Sequence, residues 1–515
     1  MTEKTYDVVV VGAGLGGLST ALFLARHGVR VLTVERHPGT SIHPRASGQS
    51  PRTMELYRYA GIDREVLGVS KRASQGLRIT VAESLGGRVL HQILEDFSEI
   101  DLSAAVGLPW GMAGQDVVEP ILLARARELG AHIRFSTELR SFEQDDDGVT
   151  AVLSSGTVRA RYLVAADGGR SRIRQRLGIG TEGLGTLGHA IGIVFDADLG
   201  ERLQPDVTDL VYLRNERFTG ALVNTDVPNR FVFGTEFHPE NGETTADFTP
   251  ERITELIRIA TGLPSVAPDV RWVGAWETAA RVATTFRGGR VLLVGDAAKV
   301  TPPTGGMGGN TAVGDGHDVA WKLAAVLQGQ AGPGLLDSYE AERKPFAELV
   351  VTASLHNLRQ RMRPELDLSG VPEPVDAIEL TLGYRCRSSA VVIADDDPRP
   401  AENPNRPTGR AGFRAPHLPI TIDGLQQSTV DLFGRGWVLL TADGSWRRAT
   451  PTDIDLRVLG TDFAASREIF LARYGIRPGG ATLVRPDGIV AWRTVAAPGD
   501  PAGVLRDVLA RVLSR

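Results

Sequence analysis

Residues 6–35 read YDVVVVGAGLGGLSTALFLARHGVRVLTVE, and this stretch decides the fold. Tyr6 to Val11 is a short β-branched run, and a second one, Val29 to Val34, follows after apolar residues at helical spacing, Leu18, Leu22 and Ala25. Between them Gly12, Gly14 and Gly17 form GxGxxG. The first glycine permits a tight turn, the second lets a pyrophosphate approach the backbone, and the third allows close packing of helix on strand. The helix N-terminus then favours the anion. Glu35 closes the second strand, where a carboxylate accepts hydrogen bonds from a ribose diol and repels a 2′-phosphate. Strand, glycine turn, helix and strand in this order predict a dinucleotide site; glycines that merely permit tight packing are the alternative.

A chain of 515 residues exceeds what one core holds and predicts two or three domains. Its 42% hydrophobic and 23% charged residues fit a soluble globular protein and exclude disordered and fibrous classes. A net charge of −5 gives no footprint for nucleic acid, and no lysine or arginine cluster suggests membrane docking. A single cysteine, Cys386, excludes an intrachain disulfide and a cysteine-based metal cluster, and with a polar N-terminus and no run of about 18 apolar residues it predicts a cytoplasmic location. Redox chemistry must then come from a cofactor.

A second stretch, GDAAKVTPPTGGMGGN (295–310), follows the apolar run Val291 to Val294 and precedes a helix expected from about Asn310 to Leu327. It is too rich in glycine for an element interior and holds no serine, cysteine or histidine to act as nucleophile or base. A nicotinamide dehydrogenase would need a catalytic group near the ring, and no such arrangement stands out among the ten histidines; HExxH, GxSxG and the P-loop pattern are absent. An enzyme lacking its own acid, base and nucleophile is still powerful when the cofactor is the reagent, and flavin is such a cofactor.

Residues 78–93 and 190–237 alternate apolar and polar side chains between turn signals, which predicts an antiparallel sheet in a separate middle domain. Asp147-Gly148 reads as a hairpin turn; the preceding acidic residues lack the alternating ligands of a calcium loop, and no metal is expected. Residues 159–179 read as a strand ending at Asp167-Gly168 and a basic helix. DDDPRPAENPNRPT (395–408) has the composition of a linker, and two strand pairs with helical segments follow it.

GAGLGG with Glu35, AADGGRSRIR around Asp167, and VLLVGDAAKVTPPTGGMGGN around Asp296, together with YEAERKP (339–345), closely resemble the group A FAD-dependent aromatic hydroxylases. PRASGQSPRTMEL (44–56), GGMGGN and LGYRCRSSAVV are similar to their bacterial aromatic-polyketide branch. Lys299 and Met307 depart from the wider family and recur in that branch. The resemblance implies a multidomain α/β and α+β architecture: a discontinuous Rossmann-type FAD-binding domain of the p-hydroxybenzoate hydroxylase type (1–75, 100–180, 275–395), a middle substrate domain (76–99, 181–274), a linker (396–409) and a thioredoxin-like C-terminal domain (410–515). Lacking cysteine, that last domain serves packing or oligomerisation.

By the same resemblance, Gly12, Gly14, Leu15, Gly16, Gly17, Glu35 and Arg36 hold the ADP half of non-covalent FAD, and Arg45 and Gln115 contact it. Asp296 accepts a hydrogen bond from a ribityl hydroxyl, and Pro303, Gly306, Met307, Gly308, Gly309 and Asn310 lie along the isoalloxazine. Asp167 supports FAD and the reduced nicotinamide; its alternative is a carboxylate tying its own loop to Arg170 or Arg174. Pro302 walls the reaction face, Tyr212, Phe231 and Phe233 line the substrate pocket, and Arg385 or Arg387 stabilises a substrate phenolate. The implied reaction is reduction by NADPH or NADH, addition of O2 to give a C4a-hydroperoxyflavin, and hydroxylation of a polycyclic phenolic polyketide of anthracycline or angucycline type in antibiotic biosynthesis. A drug-inactivating hydroxylase acting on a rifamycin- or tetracycline-like compound and a non-catalytic binding protein are the alternatives. A small molecule is the expected partner, with neither nucleic acid nor membrane, and the chain is expected as a monomer or homodimer.

Overall fold

A computed structural model of the chain describes residues 6–70, 76–95, 100–200 and 207–515. The boundaries expected at 75/76 and 99/100 adjoin residues outside this set. A six-stranded sheet runs in the order Arg287–Gly288, Val291–Leu293, Tyr162–Ala165, Val8–Val11, Val31–Val34, His132–Arg134, parallel except at its first pair. Buried on both faces, its central strands are runs of valine and leucine rather than alternating patterns. The helix Leu15–Arg26 crosses the long helix Met307–Leu327 so closely that a Cβ on Gly316 would lie 2.8 Å from the Gly16 carbonyl oxygen. Small residues on both helices therefore bring the two glycine stretches together.

The middle domain is an eight-stranded sheet in the order Lys299–Val300, Asp269–Ala283, Thr181–Asp196, Arg230–Phe237, Thr219–Asn224, Thr208–Arg214, Leu77–Ala82, Val89–Leu94. Only Thr208–Arg214 with Leu77–Ala82 is parallel. The helix Pro250–Thr261, with Pro250 at its first position and the Thr249 side chain accepting from the Arg252 N–H, packs its apolar stripe against one face. The other face looks toward the six-stranded sheet and its loops.

The C-terminal sheet runs Asp455–Val458, Val438–Thr441, Ala481–Val484, Val490–Thr494: one parallel pair and an antiparallel hairpin, with helices Arg467–Tyr474 and Pro501–Val512. This is the thioredoxin-like order. STVDL (428–432) turns as a short 3₁₀ segment because the Ser428 hydroxyl accepts from the Val430 N–H and Asp431 from the Ser428 N–H.

Residues 395–409 are not a free tether. Arg385 N–H donates to the Pro400 carbonyl and Glu402 N–H to the Gly383 carbonyl, while Asp395, Asp397 and Glu402 pair with Arg410. Proline and charge lower the propensity for regular structure without preventing side chains from strapping the segment down. A buried ion network crosses the same junction: Arg485 donates to Glu342 at 2.6 Å, Lys322 to Glu342 at 2.9 Å and to Asp318 at 2.8 Å, and Arg414 to Glu55 at 2.9 Å. Asp318, Glu342 and Asp487 come close enough to suggest a metal site, but Lys322 and Arg485 already pair with them. Buried charges are tolerated only when paired in this way, and the pairing fixes how the C-terminal domain sits. Among the described residues no helix is long and apolar enough to cross a membrane.

Candidate active site

The glycine turn after Val8–Val11 is tight enough to need its composition. Gly12 has φ +106°, and a Cβ on Gly17 would stand 1.9 Å from the Gly12 carbonyl oxygen. Gly14 precedes the first turn of the helix Leu15–Arg26, leaving its N–H groups open at the strand ends. Glu35 leaves Val31–Val34 to accept from the Ala13 N–H at 2.9 Å and the His37 N–H at 2.9 Å, while Arg36 is exposed beside it. A carboxylate thus stands at the mouth of the turn.

Glu119 stands opposite. It is buried, accepts from the Ser41 N–H at 2.7 Å and from Gln115 at 2.6 Å, and lies 3.7 Å from where a Gly14 Cβ would be. Burial raises its pKa, and these two donors oppose the rise. Sequence reading named Gln115 and missed Glu119, although the i, i+4 spacing in QDVVE carried the signal. Asp167 accepts from the Ser171 hydroxyl at 2.6 Å and the Ile173 N–H at 3.3 Å, so it organises the start of its own helix. Arg174, its expected alternative partner, donates instead to the Ala297 carbonyl at 2.9 Å.

Asp296 follows strand Val291–Leu293, and no protein hydrogen bond to its carboxylate occurs among the described residues. Crowding by surrounding atoms pushes its pKa upward, with Lys299 and Arg45 opposing. The segment carrying it is held from behind by Asp315, which accepts from the Gly295 N–H at 3.1 Å, Lys299 at 3.0 Å and Arg343 at 2.7 Å. This explains Lys299: its ammonium is buried in an ion triad.

The helix Met307–Leu327 begins three residues earlier than expected, capped by Gly306 at φ +64°. A Cβ on Gly306 would meet nothing within 4 Å, so open space lies over this backbone. Gly309 is small for a different reason, since its Cβ would come within 3.0 Å of Ala46 and Leu15. Asn310 does not offer its side chain to a ligand: it accepts from the Ser50 N–H and the Thr53 hydroxyl and donates to the Gly48 and Gly306 carbonyls, stitching residues 48–53 to the glycine loop.

A cavity of about 850 Å³ joins these parts to the middle sheet. Arg45, Pro303, Gly306 and Met307 line it at one end and Tyr212, Ala221 and Trp276 on the sheet side. The Tyr212 hydroxyl accepts from Arg361 Nη1 at 3.2 Å, and Arg361 Nη2 donates to Asn357 at 3.1 Å. Arg361 Nε is buried with no partner among the described residues. Sequence reading missed Arg361, which sits 149 residues from Tyr212 at the end of the helix Asp337–Arg361.

Five expected positions fall elsewhere. Phe231 and Phe233 point away from the cavity into the core beneath Pro250–Thr261, because they alternate with Val232 and Gly234 and the period of two puts them on the opposite face. Arg385 is buried and held by Asp395 at 2.7 and 2.8 Å and by the Ala411 carbonyl at 3.1 Å. Arg387 is exposed and bonds the Asp397 carbonyl. Neither arginine reaches the cavity. Pro302 is buried behind Pro303 and does not line it.

A glycine turn with an acidic strand end, an open carboxylate, a bare loop at a helix N-terminus and a large cavity against a sheet fit a flavin dinucleotide and a flat organic substrate. Residues 5–354 match the FAD binding domain family and residues 408–515 match the aromatic-ring hydroxylase C-terminal family. The chain belongs to the FAD-dependent aromatic-ring hydroxylases: it is a flavoprotein monooxygenase with FAD as cofactor and O2 and a reduced nicotinamide as co-substrates. It is similar over 100% of its length to aklavinone 12-hydroxylase RdmE of Streptomyces purpurascens, 50% identical over 541 residues and 100% of that protein. Over 88% of its length it is 54% identical to aklavinone 12-hydroxylase DnrF of Streptomyces peucetius, covering 94% of that protein. The crystal structure of a ternary complex of aklavinone-11 hydroxylase with FAD and aklavinone matches with a TM-score of 0.95 at 49% identity, covering 100% of both chains.

Proposed function

We propose that the enzyme hydroxylates a phenolic ring of a linear polycyclic polyketide of the aklavinone type. The observation that carries this reading is the Arg361–Tyr212 pair on the wall of a cavity that opens onto the glycine loop. The guanidinium lies 3.2 Å from the Tyr212 hydroxyl and 5.4 Å from its ring centre, which puts a fixed positive charge at the cavity wall. A substrate hydroxyl placed against the pair loses its proton to solvent more readily because the Arg361 charge and the Tyr212 O–H stabilise the phenolate, whose ring is the stronger nucleophile toward electrophilic oxygen. Bound FAD supplies the activated oxygen.

The chain's own residues would hold that cofactor along one line. Gly12, Gly14 and Gly17 leave room for the pyrophosphate, Glu35 takes the adenosine ribose, Asp296 takes a ribityl hydroxyl, and the backbone of 303–307 supports the ring. Arg45 lies near enough to Asp296 and Glu119 to influence both carboxylates and would balance phosphate charge. The N-terminus of Met307–Leu327 would stabilise negative charge on the reduced ring.

The test is purified FAD-loaded enzyme with NADPH, O2 and an anthracyclinone aglycone, read by a mass gain of one oxygen. Tyr212→Phe and Arg361→Met should each lower kcat about 100-fold and leave flavin reduction by NADPH without substrate unchanged. No oxygen incorporation by the wild type, or full turnover in both variants, would overturn the assignment.

A further inference from the structure

One row of the middle sheet is made of residues with little or no side chain. Tyr212 pairs with Ala221, Ala221 with Gly234, Gly234 with Gly192 and Gly192 with Gly274, so these positions face the cavity side together across five strands. Over the glycine end lies the indole of Trp276, two residues beyond Gly274 on the same face. A Cβ on Gly192 would come within 2.4 Å of the Trp276 benzo ring, and one on Gly234 within 3.3 Å. Trp276 is nonetheless 38% exposed and lines the cavity. Gly192 and Gly234 form a trench into which this indole is sunk, its outer side toward Ala221, while the indole of Trp272 covers Gly274.

We propose that Trp276 is the end wall that sets the length of ring system the site accepts, and that Gly192 and Gly234 set the position of that wall. This rests on the substrate reading above. From Tyr212 to Gly234 is two strand spacings, roughly 10 Å, which suits a few linearly fused rings lying edge to edge between the Tyr212–Arg361 pair and the indole. An aromatic wall also stacks on a flat ligand, adding affinity at the end remote from the reacting phenol. None of the trench glycines on this row has a positive φ, so alanine is conformationally allowed there and acts by displacing the indole into the cavity.

The test is the dissociation constant of FAD-loaded enzyme for a two-ring hydroxynaphthoquinone and a four-ring anthracyclinone aglycone, measured by calorimetry, with turnover followed in parallel. Gly192→Ala should weaken the four-ring ligand at least 10-fold and change the two-ring ligand less than twofold. Trp276→Ala should admit a four-ring ligand extended by a sugar at the end opposite the phenol, tightening it at least 10-fold relative to wild type. The Gly192→Ala/Trp276→Ala pair should behave as Trp276→Ala alone, because the clash at 2.4 Å is then gone and the remaining neighbour, Trp272 at 3.3 Å, needs to give by only a few tenths of an ångström. Equal weakening of both ligands by Gly192→Ala, or a Gly192→Ala loss that persists in the pair, would overturn the end wall while leaving the hydroxylase reading intact. A wild type that binds neither ligand would overturn both.

Discussion

Replacing Asp315 with asparagine should loosen the segment that carries Asp296 more than any change to a surface charge nearby. The carboxylate is 1% exposed and its charge is shared by Lys299 at 3.0 Å and Arg343 at 2.7 Å. At an effective dielectric of 20, each contact is worth roughly 6 kcal/mol of attraction, most of it offset by the cost of taking the ions out of water. Breaking such an arrangement from one side typically costs about 3 to 5 kcal/mol, because Lys299 remains buried without its counter-charge. Burial alone would raise the Asp315 pKa; Lys299 and Arg343 outweigh it and hold the group below its ordinary value. The stabilisation is therefore full above the ordinary aspartate value, near about 4, and is lost as pH falls through the lower folded value, where wild type and variant converge. Amide exchange of residues 295–299 reads this directly, since Asp315 accepts the Gly295 N–H. Opening should become easier by about 3 kcal/mol or more, FAD affinity should fall, and adding Lys299→Met should recover at least about 1.5 kcal/mol. A change below about 1 kcal/mol, or no recovery in the double variant, would refute the reasoning.

Asp296→Ala should release FAD while the far-ultraviolet circular dichroism stays as in wild type, because its carboxylate bonds no described protein group; full FAD occupancy after gel filtration would count against its role. Arg385→Met should lower thermal stability and leave kcat and KM within twofold, since Arg385 clamps Asp395 and Ala411 rather than substrate. The Asp395 carboxyl, held at about 2 chiefly by its hydrogen bonds from Arg385, adds stability that is present above the ordinary aspartate value and fades as pH falls toward about 2, so the variant should lose this acid dependence. Phe233→Ala should cost about 3 to 5 kcal/mol of stability in denaturant unfolding while KM for substrate stays within twofold, as expected of a core residue; a tenfold rise in KM at unchanged stability would place it in the pocket after all.

How legible each part was follows from the range of the interactions involved. The turn at Gly12 to Gly17 involves residues a few positions apart, so its steric demand is written locally, and the same holds for Glu35 at the end of the next strand. Alternation in 230–237 revealed two faces but not which one meets solvent or ligand, because that depends on where Pro250–Thr261 docks. For that reason Phe231 and Phe233 were read onto the wrong side while Tyr212 was not. The prolines and charges of 395–409 lower the tendency to regular structure, which composition reports; that Arg385 and Arg410 would strap the segment down is a matter of three-dimensional proximity.

The sequence by itself determined the dinucleotide turn and the flavin class, since these rest on short spacings whose backbone geometry leaves few alternatives. Only the tertiary structure decided the chemistry-bearing pairs: Arg361 against Tyr212, Asp315 beneath Lys299, Glu119 beside the glycine turn, Trp276 over the glycine trench. Each joins side chains from separate elements, and such pairs exist only once sheet register, helix docking and the buried ion network have fixed which faces meet.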